Sequence, residues 1–342
     1  MEMLRVYTDE NLEFLLSILT AMDYDTLLHQ RFGFQMLRTQ QDAYIQDIRT
    51  LFAPYLKTPV FDLLRDMLEA GFFLGRPIEL MLSLASPGCF TSIRPLSNLC
   101  ILYSGGMERI HMLLSGLEEL YVHSGYSQFF AQHVSRYADF ISRTQRQVQR
   151  FHIAERLEQE YGWIFGDGKI LVTGLLCGNY GIRFAADTGV SEVYAVFADS
   201  VISEDPEENE FSGGALSLNM LFHEFSHPYI NPLTEKYHTL AGSYVSAYEK
   251  LRPYKLPGML SGYGDWEECI NEHFVRAMAI HLLRDCGFGD WAQRYYERNM
   301  QEGYRYLPEI LQAYENYDRS RNLYPDFAAF YPILLTVFSG DV

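Results

Sequence analysis

Apolar residues recur with helical spacing over most of the chain. The spacing is clearest over 62–73, 108–122 and 126–150, and it returns over 266–284 and 307–317. Residues three and four apart lie on one face of a helix, so each segment is predicted to bury an apolar stripe. Prolines and paired glycines separate these segments, as expected of breaks between helices.

A different pattern occupies residues 169–198. Short runs rich in β-branched residues cover 169–176, 181–185 and 192–198, and glycine- and asparagine-containing turns separate them. Such runs favour strands, and we predict two consecutive hairpins of an antiparallel sheet, with a further short strand over 3–7.

The predicted fold class is therefore α+β, mainly helical, with a small mixed or antiparallel sheet. The change of pattern divides the chain into an N-terminal helical region, 1–160, and a second region, 161–342.

Composition narrows the possible partners. The chain has 342 residues and a formal net charge of −17, which argues against nucleic acid or an anionic membrane surface, since both require basic patches. Five scattered cysteines without a C-x-x-C pair indicate reduced thiols rather than a disulfide framework. The sequence contains no apolar run of 18 or more residues, so no membrane insertion is predicted.

The amino-terminal residues show no signal-peptide pattern, so the sequence predicts a soluble, unexported chain. A chain trimmed of its signal peptide would look the same, and localisation stays open.

The candidate chemistry lies in a predicted helix that contains His223-Glu224-Phe225-Ser226-His227. This is the H-E-x-x-H pattern, in which two histidines four apart offer imidazoles to one zinc ion. Glu224 is placed to act as a general base on a metal-activated water. Because Pro228 lacks an N–H and clashes with the preceding turn, we expect the helix to kink or end there.

A catalytic zinc usually has a third protein ligand. The extended motif would place glycine at position 230 and histidine at position 233, but the chain has Ile230 and Leu233. A carboxylate on a later helix is the remaining option, and a helix capped by Asp265 carries several.

On that helix Glu272 is the favoured ligand, because it lies in mid-helix among apolar residues. Glu268, nearer the start, is the alternative, either as ligand or as acceptor for a histidine N–H; Glu267 shares this segment, and His273 is a further candidate. Arg276, four residues after Glu272, would pair with a carboxylate of this face or bind a substrate carboxylate.

These residues resemble the zincin metallopeptidases, in particular the gluzincin or thermolysin-like group. The resemblance rests on His223, Glu224, His227 and Glu272. More narrowly, the layout is similar to a bacterial family of zincin-like domains, through Gly178-Asn-Tyr-Gly-Ile-Arg183, Phe222-His-Glu-Phe-Ser-His-Pro228, the run at 272–277 and the Tyr-Pro-Asp-Phe ending.

The resemblance implies a zincin-like second region, with a mixed sheet next to the H-E-x-x-H helix. An edge strand, 181–185 or 192–198, would pair with an extended peptide. The chain departs from the thermolysin pattern at Arg276, where an aspartate is usual, and at Pro228.

The usual downstream histidine that stabilises the oxyanion has no clear counterpart in this chain. Tyr244 is the candidate for that contact with substrate, and Tyr248 and His238 are the alternatives.

The sequence thus predicts a zinc-dependent metallopeptidase that hydrolyses peptide or protein substrates. The alternatives are a catalytically inactive zincin-like module that binds metal or peptide, and a metal-free helical interaction protein. Cleavage preference, endo- or exopeptidase action and oligomeric state leave no signature in the sequence.

Overall fold

The structure, a computed structural model, describes residues 4–38, 42–162, 167–184, 192–198, 215–254 and 265–340. Helices dominate these residues, and a small mixed sheet and a separate antiparallel strand pair accompany them. The predicted mainly helical α+β class is confirmed.

Packing divides the chain into two compact units. The N-terminal unit comprises residues 5–145 and 169–201, and the C-terminal unit comprises 1–4, 146–168 and 202–342. This division does not coincide with the predicted boundary after residue 160, because the strands after residue 168 belong to the unit of the N-terminal helices.

In the N-terminal unit helices and strands do not alternate regularly, and most of the helices come before the last three strands. In chain order they are β1 (Arg5–Tyr7), α1 (Glu10–Ala21), α2 (Tyr24–Phe32), α3 (Ala43–Phe52), α4 (Pro59–Ala70), α5 (Gly75–Leu82), β2 (Leu84–Ser86), β3 (Cys89–Ser92), α6 (Asn98–Tyr103), α7 (Met107–Ser124), α8 (Tyr126–His133), α9 (Ala138–Phe151, which crosses the unit boundary), β4 (Asp167–Thr173, from Lys169 onward), β5 (Tyr180–Phe184) and β6 (Glu192–Ala198).

The described part of the C-terminal unit is mostly helical. Its helices are α10 (Ile153–Tyr161), α11 (Ala215–Lys236), α12 (His238–Gly242), α13 (Ser246–Leu251), α14 (Trp266–Asp285), α15 (Gly289–Gln301), α16 (Leu307–Arg319) and α17 (Phe327–Leu334). Short 3₁₀ turns connect or end several helices of the two units, at Ala53–Tyr55, Val134–Tyr137, Arg252–Tyr254 and Leu335–Ser339.

The sheet of the N-terminal unit has the strand order β1-β4-β6-β5. β1 pairs with β4 in parallel, and β5 pairs with β6 antiparallel. The predicted hairpin between β5 and β6 is confirmed. The other predicted hairpin is wrong, because β6 lies between β4 and β5 in the sheet. Among the described strands β5 is an edge and β6 is internal, while Ala185, the end of the first predicted edge segment, lies outside the described residues.

α1 is buried along its whole length in the N-terminal unit. Its Asp9 cap accepts a hydrogen bond from the Leu12 N–H at 2.8 Å, which satisfies a free donor of the first turn. The predicted helix over 126–150 is interrupted: α8 ends at His133, and a 3₁₀ turn precedes α9.

α14 is the central helix of the C-terminal unit and packs against α11, α15 and α16. Apolar side chains are buried around its circumference, among them Ile270, Val275 and Leu283. A helix enclosed on all sides carries apolar residues all round rather than on one stripe. The predicted Asp265 cap is present, with its carboxylate accepting from the Glu268 N–H at 2.8 Å.

The sequence predicts a kink or an end of α11 at Pro228, and the helix does not end there. It continues to Lys236 through both Pro228 and Pro232. The helix tolerates the missing N–H groups because the residues beyond Pro228 are held by packing: Tyr229, Ile230 and Leu233 are buried.

None of the described helices has both the length and the apolar composition needed to cross a membrane.

Candidate metal centre

α11 places His223 and His227 on the same face, one turn apart. Their Nε2 atoms lie 3.3 Å from each other, and the two rings are nearly perpendicular, at 79°. Leu221 and Phe225 of the same helix are fully buried, and their packing fixes the orientation of the helix. The two imidazoles therefore point their Nε2 atoms into a common space.

α14 supplies the carboxylate that faces this space. Glu272 Oε1 lies 3.4 Å from His227 Nε2, and Glu272 Oε2 lies 3.8 Å from His223 Nε2. The Glu272 side chain is 11% exposed, so these contacts form in a largely water-excluded region. The structure thus brings Glu272 together with both histidines, as the mid-helix argument predicts.

The three donors fit a tetrahedral zinc ion. Bonds of about 2.0–2.1 Å at tetrahedral angles separate neighbouring donors by about 3.3–3.4 Å. The 3.3 Å between the two Nε2 atoms and the 3.4 Å between His227 Nε2 and Glu272 Oε1 match this value, while the 3.8 Å contact of His223 Nε2 is with the other oxygen, Glu272 Oε2. Burial lowers the pKa of His223 to about 3, although the charge of Glu272 opposes the shift, and the neutral ring is the form that binds a metal.

Glu224 stands beside the donor set. One of its carboxylate oxygens lies 3.9 Å from His223 Nε2, and the side chain is 9% exposed. Burial raises the pKa of Glu224 to about 8, and the negative charge of Glu272 adds to the shift. A cation held by the three donors would act in the opposite direction. Glu224 can therefore take up or release a proton at this position.

Arg276 binds one oxygen of the Glu272 carboxylate. Its Nε and Nη2 each lie 3.0 Å from Glu272 Oε2, and its Nη1 donates to Asn299 Oδ1 at 2.7 Å. The guanidinium also lies over the ring of Tyr304, 4.1 Å from its centroid.

Burial alone raises the pKa of Glu272, but Arg276 and the two histidines outweigh it and hold this pKa at about 2. The carboxylate is ionised at neutral pH, as a metal ligand must be.

The predicted pairing of Arg276 with a carboxylate of its own helix face is therefore present. Its predicted contact with a substrate stays a prediction, and its three nitrogens face Glu272, Asn299 and Glu302. Sequence reasoning missed Asn299 and Tyr304, because they follow on α15 and the next turn, where no local pattern marks them.

The other candidates from the sequence lie elsewhere in the C-terminal unit. Glu268 is half-buried in the first turn of α14, and Tyr244 is half-buried in the turn between α12 and α13. His238 is exposed and bonds to the Glu235 carbonyl, while His273 is buried with its Nδ1 on the Cys269 carbonyl. Their roles as ligand or oxyanion contact stay predictions.

A second group of metal-binding residue types occurs in the same unit, formed by Glu160, His281 and Asp318, with donor atoms within 4.8 Å of one another. Arg321 already neutralises it: Nη2 lies 2.7 Å from Glu160 Oε2 and 2.9 Å from Asp318 Oδ1. His281 Nε2 lies 3.0 Å from the other Asp318 oxygen. We assign this group a structural role, since the arginine occupies the place of a cation.

Replacing Arg321 by alanine is expected to lower the free energy of unfolding by about 3 kcal/mol, because Glu160, only 5% exposed, loses its arginine and keeps His281 as its remaining positive partner. Urea unfolding followed by circular dichroism measures the change. Arg319→Ala is the matched control, because its pair with Glu315 is exposed and should contribute less than about 0.5 kcal/mol. Equal effects of the two substitutions would contradict the structural role of Arg321.

Fold and site together define a mainly helical α+β protein with a candidate His-His-Glu metal centre. The chain belongs to the family described as "Domain of unknown function (DUF4932)", which matches residues 4–337. The chain matches no curated protein and no solved structure.

Proposed function

We propose that the protein is a zinc-dependent metallopeptidase of the gluzincin kind. The observation that carries the proposal is the convergence of His223 Nε2, His227 Nε2 and the Glu272 carboxylate, at separations of 3.3–3.8 Å, beside the buried Glu224. The H-E-x-x-H pattern and a glutamate from a later helix support the same assignment.

The residues of this chain would hold zinc through two neutral imidazoles and one carboxylate. Arg276 keeps Glu272 ionised and oriented, with Oε1 left on the side of His227. When bound, zinc supplies the Lewis acidity that polarises a peptide carbonyl and makes water acidic enough to attack near neutral pH.

Glu224 performs the proton transfers. Its carboxylate accepts the proton of the attacking water and then delivers it to the nitrogen of the leaving amine, which completes hydrolysis of the peptide bond. Its place directly after the first histidine of the motif suits a general base at the water-occupied position of the site. Peptides or proteins are the substrates that follow from this chemistry.

Two measurements on the purified full chain test the proposal. Elemental analysis should return about one zinc per chain, and a peptide library should be cleaved in a reaction that a chelator stops and added zinc restores. One zinc without cleavage would replace the proposal by a catalytically inactive metal-binding module. A fully folded chain that neither retains nor takes up zinc would overturn the metal site itself.

A further inference from the structure

Four polar residues are spaced every fourth position along α11: Asn219, His223, His227 and Asn231. Side chains four apart on a helix lie next to each other on one face. Each histidine of the candidate centre therefore has an asparagine one turn away, on the side opposite to the other histidine. H-E-x-x-H alone does not require these asparagines.

The pair at the C-terminal side is formed in the structure. His227 Nδ1 lies 3.2 Å from Asn231 Oδ1. An amide oxygen only accepts, so Nδ1 carries the hydrogen and Nε2 keeps its lone pair. That Nε2 is the atom that faces His223 and Glu272. With its amide oxygen facing the ring, Asn231 favours the tautomer that a metal requires.

The pair at the N-terminal side has complementary unpaired atoms. His223 Nδ1 is buried without a hydrogen-bond partner among the described residues, and Asn219 Oδ1 is buried in the same condition. Asn219 is 5% exposed, so water does not readily replace the missing partner. One atom can donate and the other accepts, and the two residues are one helical turn apart. Pairing them would satisfy both groups and fix the ring of His223.

We propose that Asn219 and Asn231 are positioning residues that hold His223 and His227 as Nδ1–H tautomers, with both Nε2 atoms directed at the metal. This inference rests on the proposed function only in that the site binds zinc. Residues that orient metal-binding histidines typically change metal affinity by about 10–100-fold when removed.

The test is a zinc titration of the metal-free full chain against a competing chelator, with cobalt absorption as a spectroscopic readout of coordination. Asn231→Ala and Asn219→Ala should each weaken zinc binding by about 10–100-fold and alter the cobalt spectrum. Asn231→Asp keeps the accepting oxygen and should restore affinity to at least that of the unaltered chain. Because Asn231 is exposed, its substitution leaves the core intact.

Asn316→Ala is the matched control, an asparagine on an exposed face of α16 that should leave zinc affinity unchanged. Zinc affinities of both alanine variants within about twofold of the unaltered chain would overturn the positioning role. That result would leave the proposed hydrolysis untouched. Conversely, weakened zinc binding in the variants of a chain that cleaves no peptide would uphold the positioning role and reject only the peptidase function.

Discussion

Glu224→Gln is expected to retain zinc and to hydrolyse peptides about 10²–10⁴-fold more slowly than the unaltered chain, the range that general acid–base catalysis contributes. Glutamine has the same shape but no carboxylate to accept the proton of the attacking water. The substitution also removes a buried carboxyl whose pKa is raised by burial and by Glu272, so the fold should not be weakened. Zinc content and the rate of peptide cleavage are measured on the same preparation.

Glu235→Gln is the matched control, because Glu235 lies on the same helix and is exposed. Its cleavage rate should stay within about twofold of the unaltered chain, as expected for a surface carboxyl that takes no part in catalysis. If Glu224→Gln cleaves as fast as this control, Glu224 is not the base. If it loses zinc instead, Glu224 is a ligand, and the assignment of roles within the motif is wrong.

The two histidines were predictable because their relation is local. Helical geometry alone places positions 223 and 227 on one face, and in the structure their Nε2 atoms lie 3.3 Å apart. Glu272 required a different argument, since 45 residues separate it from His227 in the chain. A carboxylate that faces a packed neighbour should lie in mid-helix, and this reasoning preferred Glu272 to Glu268, which lies in the first turn of α14.

The supporting contacts of the site were beyond sequence reasoning for a physical reason. Asn299 reaches Arg276 only because α15 packs against α14, and a pattern within one helix does not specify which helix is its neighbour. The asparagines at 219 and 231 did carry a signal, the same four-residue spacing as the histidines. It was missed because each asparagine alone is an ordinary polar position in a helix.

The failed expectations share a cause, namely that packing overrides a local rule. Proline at 228 usually ends a helix, yet the buried Ile230 and Leu233 keep the chain helical to Lys236. The prediction of the strand pairing was wrong for a similar reason. Local patterns found the strands of the four-stranded sheet but not β2 and β3, and β1 pairs with a strand more than 160 residues later, as Arg5 opposite Lys169 shows. Pairing over such a distance depends on the whole fold rather than on the strand sequences.

Glu272→Gln is expected to weaken zinc binding by more than about 100-fold, beyond the effect of removing a residue that only orients a ligand. The amide is a poor substitute for an ionised carboxylate that lies 3.4 Å from His227 Nε2. Peptide cleavage should be lost with the metal. The variant should also be less stable by about 1–3 kcal/mol, because the buried Arg276 loses its closest anion.

Glu268→Gln is the control that decides between the two carboxylates of α14. Both substitutions remove one charge from the same helix, and Glu272 lies within 4 Å of both histidine Nε2 atoms. Glu268→Gln should therefore bind zinc within about twofold of the unaltered chain, as a carboxylate that does not touch the metal would allow. The reverse result, zinc retained in Glu272→Gln and lost in Glu268→Gln, would make Glu268 the third ligand and would require α14 to turn its first-turn face toward α11.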